Sequence, residues 1–183
     1  MVCVAGMRGK QTVRDMVLSM VVIGAVVGVT YIFIPRDDTK DPIKRVDYSI
    51  ELVTAQRAAP YPVVAPEGLP KAWKPTSVTY NRSDSNAWHL GFLDPKREYV
   101  AVEQSTAPFK KYVGRVTHHA EDTGRTRQVN GESWQIWEGP KYDALVRAGK
   151  GATTVVTGTA PLDRLAEMAA ALKVKTPKPV GAA

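Results

Sequence analysis

The sequence predicts an α+β fold: an antiparallel β-sheet packed with helices, preceded by one N-terminal transmembrane helix. Three observations carry this reading. Residues 16–34 hold no charge; from residue 76 onward, short alternating segments are separated by turn residues; and one apolar stripe at helical spacing interrupts those segments while another follows them. Hairpin connections dominate the second half, and hairpins join antiparallel strands.

The uncharged run is 19 residues long. As a helix it measures about 28 Å, close to a hydrocarbon core of roughly 30 Å. Arg8, Lys10 and Arg14 precede it, as they would in a secretory signal. A signal, however, has a shorter apolar region that closes on a small-x-small site. Here bulky Tyr31, Ile32, Phe33 and Ile34 run up to Pro35, and the small residues Gly24, Ala25 and Gly28 lie inside the run. An uncleaved anchor is therefore expected, with a cleaved signal as its rival. Cys3 precedes the run and so is not a lipid-attachment site of the kind that ends a signal. Gly24 and Gly28 are spaced for close approach of two membrane helices, which makes them candidates for helix pairing and for a homodimer, although glycine is common in such helices anyway.

Orientation follows less directly. Three Lys/Arg precede the span and four follow it closely (Arg36, Lys40, Lys44, Arg45), so positive charge nearly ties. Long domains translocate largely regardless of charge, whereas a short basic tail is held back. The expected order is a cytoplasmic tail at residues 1–15, the span at 16–34, a juxtamembrane linker at 35–45, an extracytoplasmic domain at 46–172 and a flexible tail at 173–183. The sole cysteine lies before the span, which leaves the outer domain without a thiol to oxidise.

After the linker, Asp41-Pro42 is expected to start a helix with the Asp as cap, and Ile43, Val46, Ile50 and Val53 give it an apolar stripe. It ends before Pro60. Five of the thirteen prolines fall between Pro60 and Pro75, so this segment is expected to run extended along a surface or sheet edge. Three strands follow: TSVTYN, AWHLGFL and YVAVEQ, with Trp88, Leu90 and Phe92 alternating toward one face of the second and Val100 and Val102 on a common face of the third. Ser105 or Thr106 is expected to cap a helix whose Phe109, Tyr112, Val113 and Val116 face the sheet. RTRQVN and ESWQIWEG form a hairpin across Asn130-Gly131, and YDALVR and ATTVVTG another across residues 149–151. A last helix begins near Pro161, with Leu162, Leu165, Ala166, Ala169 and Leu172 on one side.

The stretches QTVRDMVLSM, APYPVVAPEGLPKAW, WHLGF and VVTGTAPLDRLAEMAAALK together resemble the actinobacterial family known as domain of unknown function 4245, over about residues 10–173. The resemblance implies a single-pass envelope protein facing outward in the cell (plasma) membrane. It implies no catalytic residue and no cofactor.

Chemistry-bearing patterns are sparse. His118 and His119 are adjacent and on a helix point about 100° apart, and His118 with Glu121 supplies two ligands where zinc wants three or four. The histidines are instead expected in the last turn of their helix, where positive charge complements the dipole. GESWQ has Gln135 where a nucleophile elbow needs glycine. RAGKGATT joins two strands, whereas a phosphate loop joins strand to helix. Ser83, Asp84, Ser85 and His89 hold the atoms of a hydrolase triad, but the first three form a turn.

A net charge of +7, with +5 beyond the first 34 residues (22 basic against 17 acidic), suits anionic lipid or acidic wall polymers as well as plain solvation, and no nucleic-acid partner is expected. The expected role is a non-enzymatic interaction module supporting a membrane or cell-wall complex, with the bilayer and another envelope protein as partners. The alternative is a binding domain for a small apolar ligand or lipid, lined by Trp88, Leu90, Phe92, Tyr99 and Trp137. Lys110, Lys111, Arg115 and His118 form the expected outward basic face of the middle helix. Trp134 and Trp137 differ by an odd number and so face opposite sides of their strand, which makes Trp137 a candidate contact.

Overall fold

The structure, a computed structural model, describes residues 8–33, 44–149 and 151–174. The chain divides into two compact units, 1–42 and 43–183.

The first unit holds helix α1, Arg8–Phe33. Its stretch Val13–Tyr31 is long and apolar enough to cross a membrane by length and composition. The helix begins well before residue 16, so part of the expected tail is helical, and Ile34 lies outside the described residues. Two hydroxyls inside the span are satisfied by the helix itself: Ser19 Oγ donates to the Met16 carbonyl at 2.8 Å and Thr30 Oγ1 to that of Val26 at 2.5 Å. Such back-bonding lowers the cost of a hydroxyl wherever water does not reach it. Gly24 and Gly28 stand one turn apart, and a Cβ on either would meet nothing within 4 Å.

In the second unit, helix α2 spans Ser49–Ala58. It does not start at Asp41-Pro42, which lies outside the described residues; residues 44–48 are non-helical, and the Val46 N–H donates to the Pro75 carbonyl at 2.9 Å. Asp47 Oδ1 accepts from the Ser49 N–H at 2.9 Å, an Asx turn that leads into the helix. The expected apolar stripe is corrected with it. Ile50 is 78% exposed and Val53 41%, while Tyr48, Leu52 and Ala55 pack on the core.

The proline-rich segment is also more deeply placed than expected. It forms β1, Val64–Pro66, and Tyr61, Val63, Val64, Ala65 and Trp73 are all buried. Buried side chains satisfy the backbone of this segment: the Val64 N–H donates to Gln104 Oε1 at 2.8 Å, and Trp88 Nε1 donates to the Val64 carbonyl at 3.1 Å.

The main sheet comprises β2 (Lys74–Asn81), β3 (Ala87–Leu93), β4 (Tyr99–Ser105), β5 (Glu121–Val129), β6 (Glu132–Glu138), β7 (Asp143–Ala148) and β8 (Thr153–Gly158). Every adjacent pair is antiparallel, in the order β2-β3-β4-β8-β7-β6-β5. Asn130 and Gly131, both at positive φ (52° and 79°), make the tight turn between β5 and β6. Helix α3, Phe109–Val116, joins the centre of the sheet to its far edge. Neither Ser105 nor Thr106 caps it. Pro108 occupies the N-cap, and both hydroxyls donate to the Ser85 carbonyl at 2.9 Å. Helix α4, Leu162–Ala171, begins after Pro161 as expected. The chain then forms β9, Leu172–Val174, antiparallel to β1, so Lys173 and Val174 belong to the domain and not to a loose tail.

Both sheet faces are covered. On one, Trp88, Leu90, Phe92, Val100, Val102 and Trp134 pack under α2, α4 and the proline-rich segment; on the other, Trp137, Ala144, Val146 and Val155 pack under α3. This accounts for two tryptophans on opposite sides of β6.

Candidate functional site

Helix α3 crosses β6 to β8 with Tyr112 and Val113 buried against them, which leaves its flank exposed beside the start of β5. The chain turns between the two through His118 and His119, both left-handed (φ 55° and 69°), and the His119 N–H donates to the Gly114 carbonyl at 2.7 Å. That is a Schellman closure, in which a residue past the cap satisfies a helix carbonyl. The histidines therefore follow the helix and do not sit in its last turn.

This junction bounds an open groove of about 630 Å³. Phe109 and Trp137 form its apolar part, with ring centroids 6.0 Å apart edge to face. Lys110, His119, Glu121 and Asp122 give it a rim of mixed charge. The Trp137 indole is 8% exposed and donates to Gln135 Oε1 at 3.3 Å, so it serves as a fixed wall and not as a projecting anchor.

The expected basic face is split up. Lys110 joins Trp137 at the groove, but Lys111 and Arg115 line a separate pocket of about 100 Å³ with Asp84 and Tyr112. There Arg115 pairs with Asp84 at 2.9 Å and lies 5.5 Å from the centre of the Tyr112 ring. His118 packs edge-on to Tyr142 at 4.9 Å, with Lys141 Nζ 3.4 Å from its Nε2. Trp88 and Leu90 are fully buried, whereas Phe92 borders a concavity of about 310 Å³ with Arg45, Tyr48, Leu69, Lys71 and Trp73.

A second constellation gathers on β2, β3 and β4. On β2, β3 and β4 the register sets Thr79 opposite His89 and His89 opposite Glu103, with Ser77 opposite Gly91. His89 points away from Trp88 and Leu90, as alternation requires. Its Nδ1 lies 2.6 Å from Glu103 Oε1, and its Nε2 lies 2.8 Å from Ser77 Oγ. With the imidazole neutral and its proton on Nδ1, Nδ1–H donates to the carboxylate and Nε2 accepts from the serine. Burial pushes the His89 pKa down, but the hydrogen bond and charge of Glu103 outweigh it and leave the pKa raised. The Tyr99 hydroxyl hydrogen-bonds Ser77, and burial, the Glu103 charge and Tyr142 push its pKa up to about 12. Tyr99 is therefore a neutral donor at any ordinary pH.

Gly91 makes this convergence possible: a Cβ there would lie 2.3 Å from Ser77 Oγ and 3.1 Å from the Tyr99 hydroxyl. The sequence places His89 beside Ser83, Asp84 and Ser85, but those residues form the β2–β3 turn, where Asn81 Oδ1 accepts from Ser83 and Asp84. Only strand register reveals the partners. Among the described residues, no group of three or more His, Cys, Asp or Glu is placed to hold a metal ion.

A family model described as a protein of unknown function (DUF4245) matches residues 8–172. No curated protein matches the chain.

Proposed function

The chain belongs to the domain of unknown function 4245 family, and on that premise we propose that it is a single-pass, membrane-anchored interaction module of the actinobacterial cell envelope. Its N-terminus is cytoplasmic, its domain is extracytoplasmic, and its role is to support a membrane or cell-wall complex. The observation that carries this reading is the α3 groove. Its fixed aromatic wall of Phe109 and Trp137 is rimmed by Lys110, Glu121 and Asp122, the apolar-centre and charged-edge pattern of a protein contact. A partner segment with one apolar anchor and flanking charge fits it.

The test is photo-crosslinking in cells. A crosslinking residue at Lys110 or Gln135 should give a discrete adduct that the same residue at Arg57 on α2 does not. Equal adducts from all three positions, or none from the groove, overturn the proposal. A second reading, binding of a small apolar ligand or lipid, draws on the 310 Å³ concavity, where Tyr48, Trp73 and Phe92 adjoin the cationic Arg45 and Lys71. An anionic amphiphile matches that lining.

A further inference from the structure

Three side chains on neighbouring strands form an unbroken hydrogen-bonded line, Glu103 to His89 to Ser77, at 2.6 and 2.8 Å. A half-buried histidine held by a carboxylate is common as plain structure. A structural pair does not need a serine hydroxyl on the opposite ring nitrogen, nor a tyrosine hydroxyl at that same oxygen, nor a glycine beneath both. All of these are present here. The register of β2 against β3 shifts between Pro75 and Ser77, the kind of irregularity that re-aims a side chain at a sheet edge. Strand β2 is that edge, Ser77 is partly exposed, and the His89 side chain is 28% exposed, so an incoming molecule can reach the serine.

We propose that Ser77 is a nucleophile, activated by His89 and oriented through Glu103, with Tyr99 as the donor to the oxyanion, and that this site cleaves carboxylic esters. It is separate from the α3 groove and does not depend on the function assigned to that groove.

Ser77 Oγ attacks the ester carbonyl carbon while its proton passes to His89 Nε2, and the carbonyl π pair moves onto oxygen, where the Tyr99 O–H meets it. Collapse breaks the bond to the alcohol oxygen, which leaves with the proton from His89. The acyl-serine is then hydrolysed by water, with His89 again taking and returning the proton. Glu103 touches none of the reacting atoms; it holds the imidazole in the tautomer whose Nε2 is free to accept. Substrates whose ester carbonyl lies on a slim, unbranched chain are expected, because the carbonyl must approach Ser77 along the face of the sheet at its edge.

The experiment treats the full chain in detergent with a fluorophosphonate probe, in which an Oγ–P bond forms and fluoride leaves, and follows p-nitrophenyl acetate hydrolysis in parallel. Wild type should carry the probe on Ser77, and Ser77→Ala should not. His89→Asn should slow labelling at least a hundredfold, and Tyr99→Phe about a hundredfold. Glu103→Gln should move the low-pH limb of the labelling profile to lower pH, a change that loss of structure alone would not produce. Thermal melts establish that each variant is folded. The proposal is overturned if Ser77 of the folded wild type stays unlabelled, or is labelled no faster than in His89→Asn.

Discussion

The Trp88 indole N–H donates to the Val64 carbonyl at 3.1 Å, with the Trp88 side chain fully buried. Together with the Val64 N–H bond to Gln104, it fastens the proline-rich segment to β3 and β4. Trp88→Phe keeps an aromatic ring but leaves that carbonyl buried without its donor, at a cost of about 1–3 kcal/mol, and it also leaves a void. A drop in urea midpoint with unchanged slope, and no change at an exposed control such as Ile50→Ala, is the expected result.

Stability should fall as pH rises through the titration of His89. Its folded pKa is raised by the Glu103 hydrogen bond and charge acting against burial. A group whose folded pKa lies above the unfolded value contributes stability that is fully present below that value, near 6.5. The contribution is lost as pH climbs from there through the folded pKa. Urea midpoints measured from pH 5 to pH 9 should decline across that window, and Glu103→Gln should flatten the decline. A wild-type midpoint that rises across the window would contradict the assignment.

Gly24 and Gly28 leave open space on α1 where a second helix can approach. If they pair, Gly24→Ile with Gly28→Ile removes the close packing while leaving the span insertable. A bacterial two-hybrid assay of the isolated segment should give signal for the wild type alone. No signal from either version makes the spacing incidental.

Topology is read by reporter fusions. Alkaline phosphatase fused after the last residue should be active in cells that keep the first helix attached, with the N-terminus inside. An inactive phosphatase together with a working cytoplasmic reporter at the same position reverses the orientation.

The strands are legible in sequence because alternation is a local signal: Trp88, Leu90 and Phe92 share a face whatever lies beside them. Helices α3 and α4 are legible for the same reason. The entry to α2 misleads because Val46, Ile50 and Val53 sit at helical spacing, yet the backbone of Val46 is tied to Pro75, a contact far along the chain that no local pattern encodes. The proline-rich segment misleads for a related reason. Its missing donors imply an edge, but the burial of Val63 to Ala65 depends on Gln104 and Trp88 reaching over to it. The pairing of Arg115 on the basic face is equally non-local, because its partner Asp84 lies in a distant turn. The Ser77, His89 and Glu103 line is the least legible of all, since it exists only once β2, β3 and β4 are in register.

The pairing of β4 with β8, with Val102 opposite Val156, also sets the order in which this domain can be made. Strands β2 to β4 can zip as they appear, but the free edge of β4 waits for α3 and three more strands before its partner exists. Closing so long a loop is what slows folding in sheets of non-local topology. During that wait the half-built sheet offers an unpaired edge with Val100 and Val102 on it, the kind of template on which chains stick together. A chain cut short before β8 should therefore accumulate as aggregate, and in the cell the interval between β4 and β8 is when this domain most needs to be shielded from its own copies.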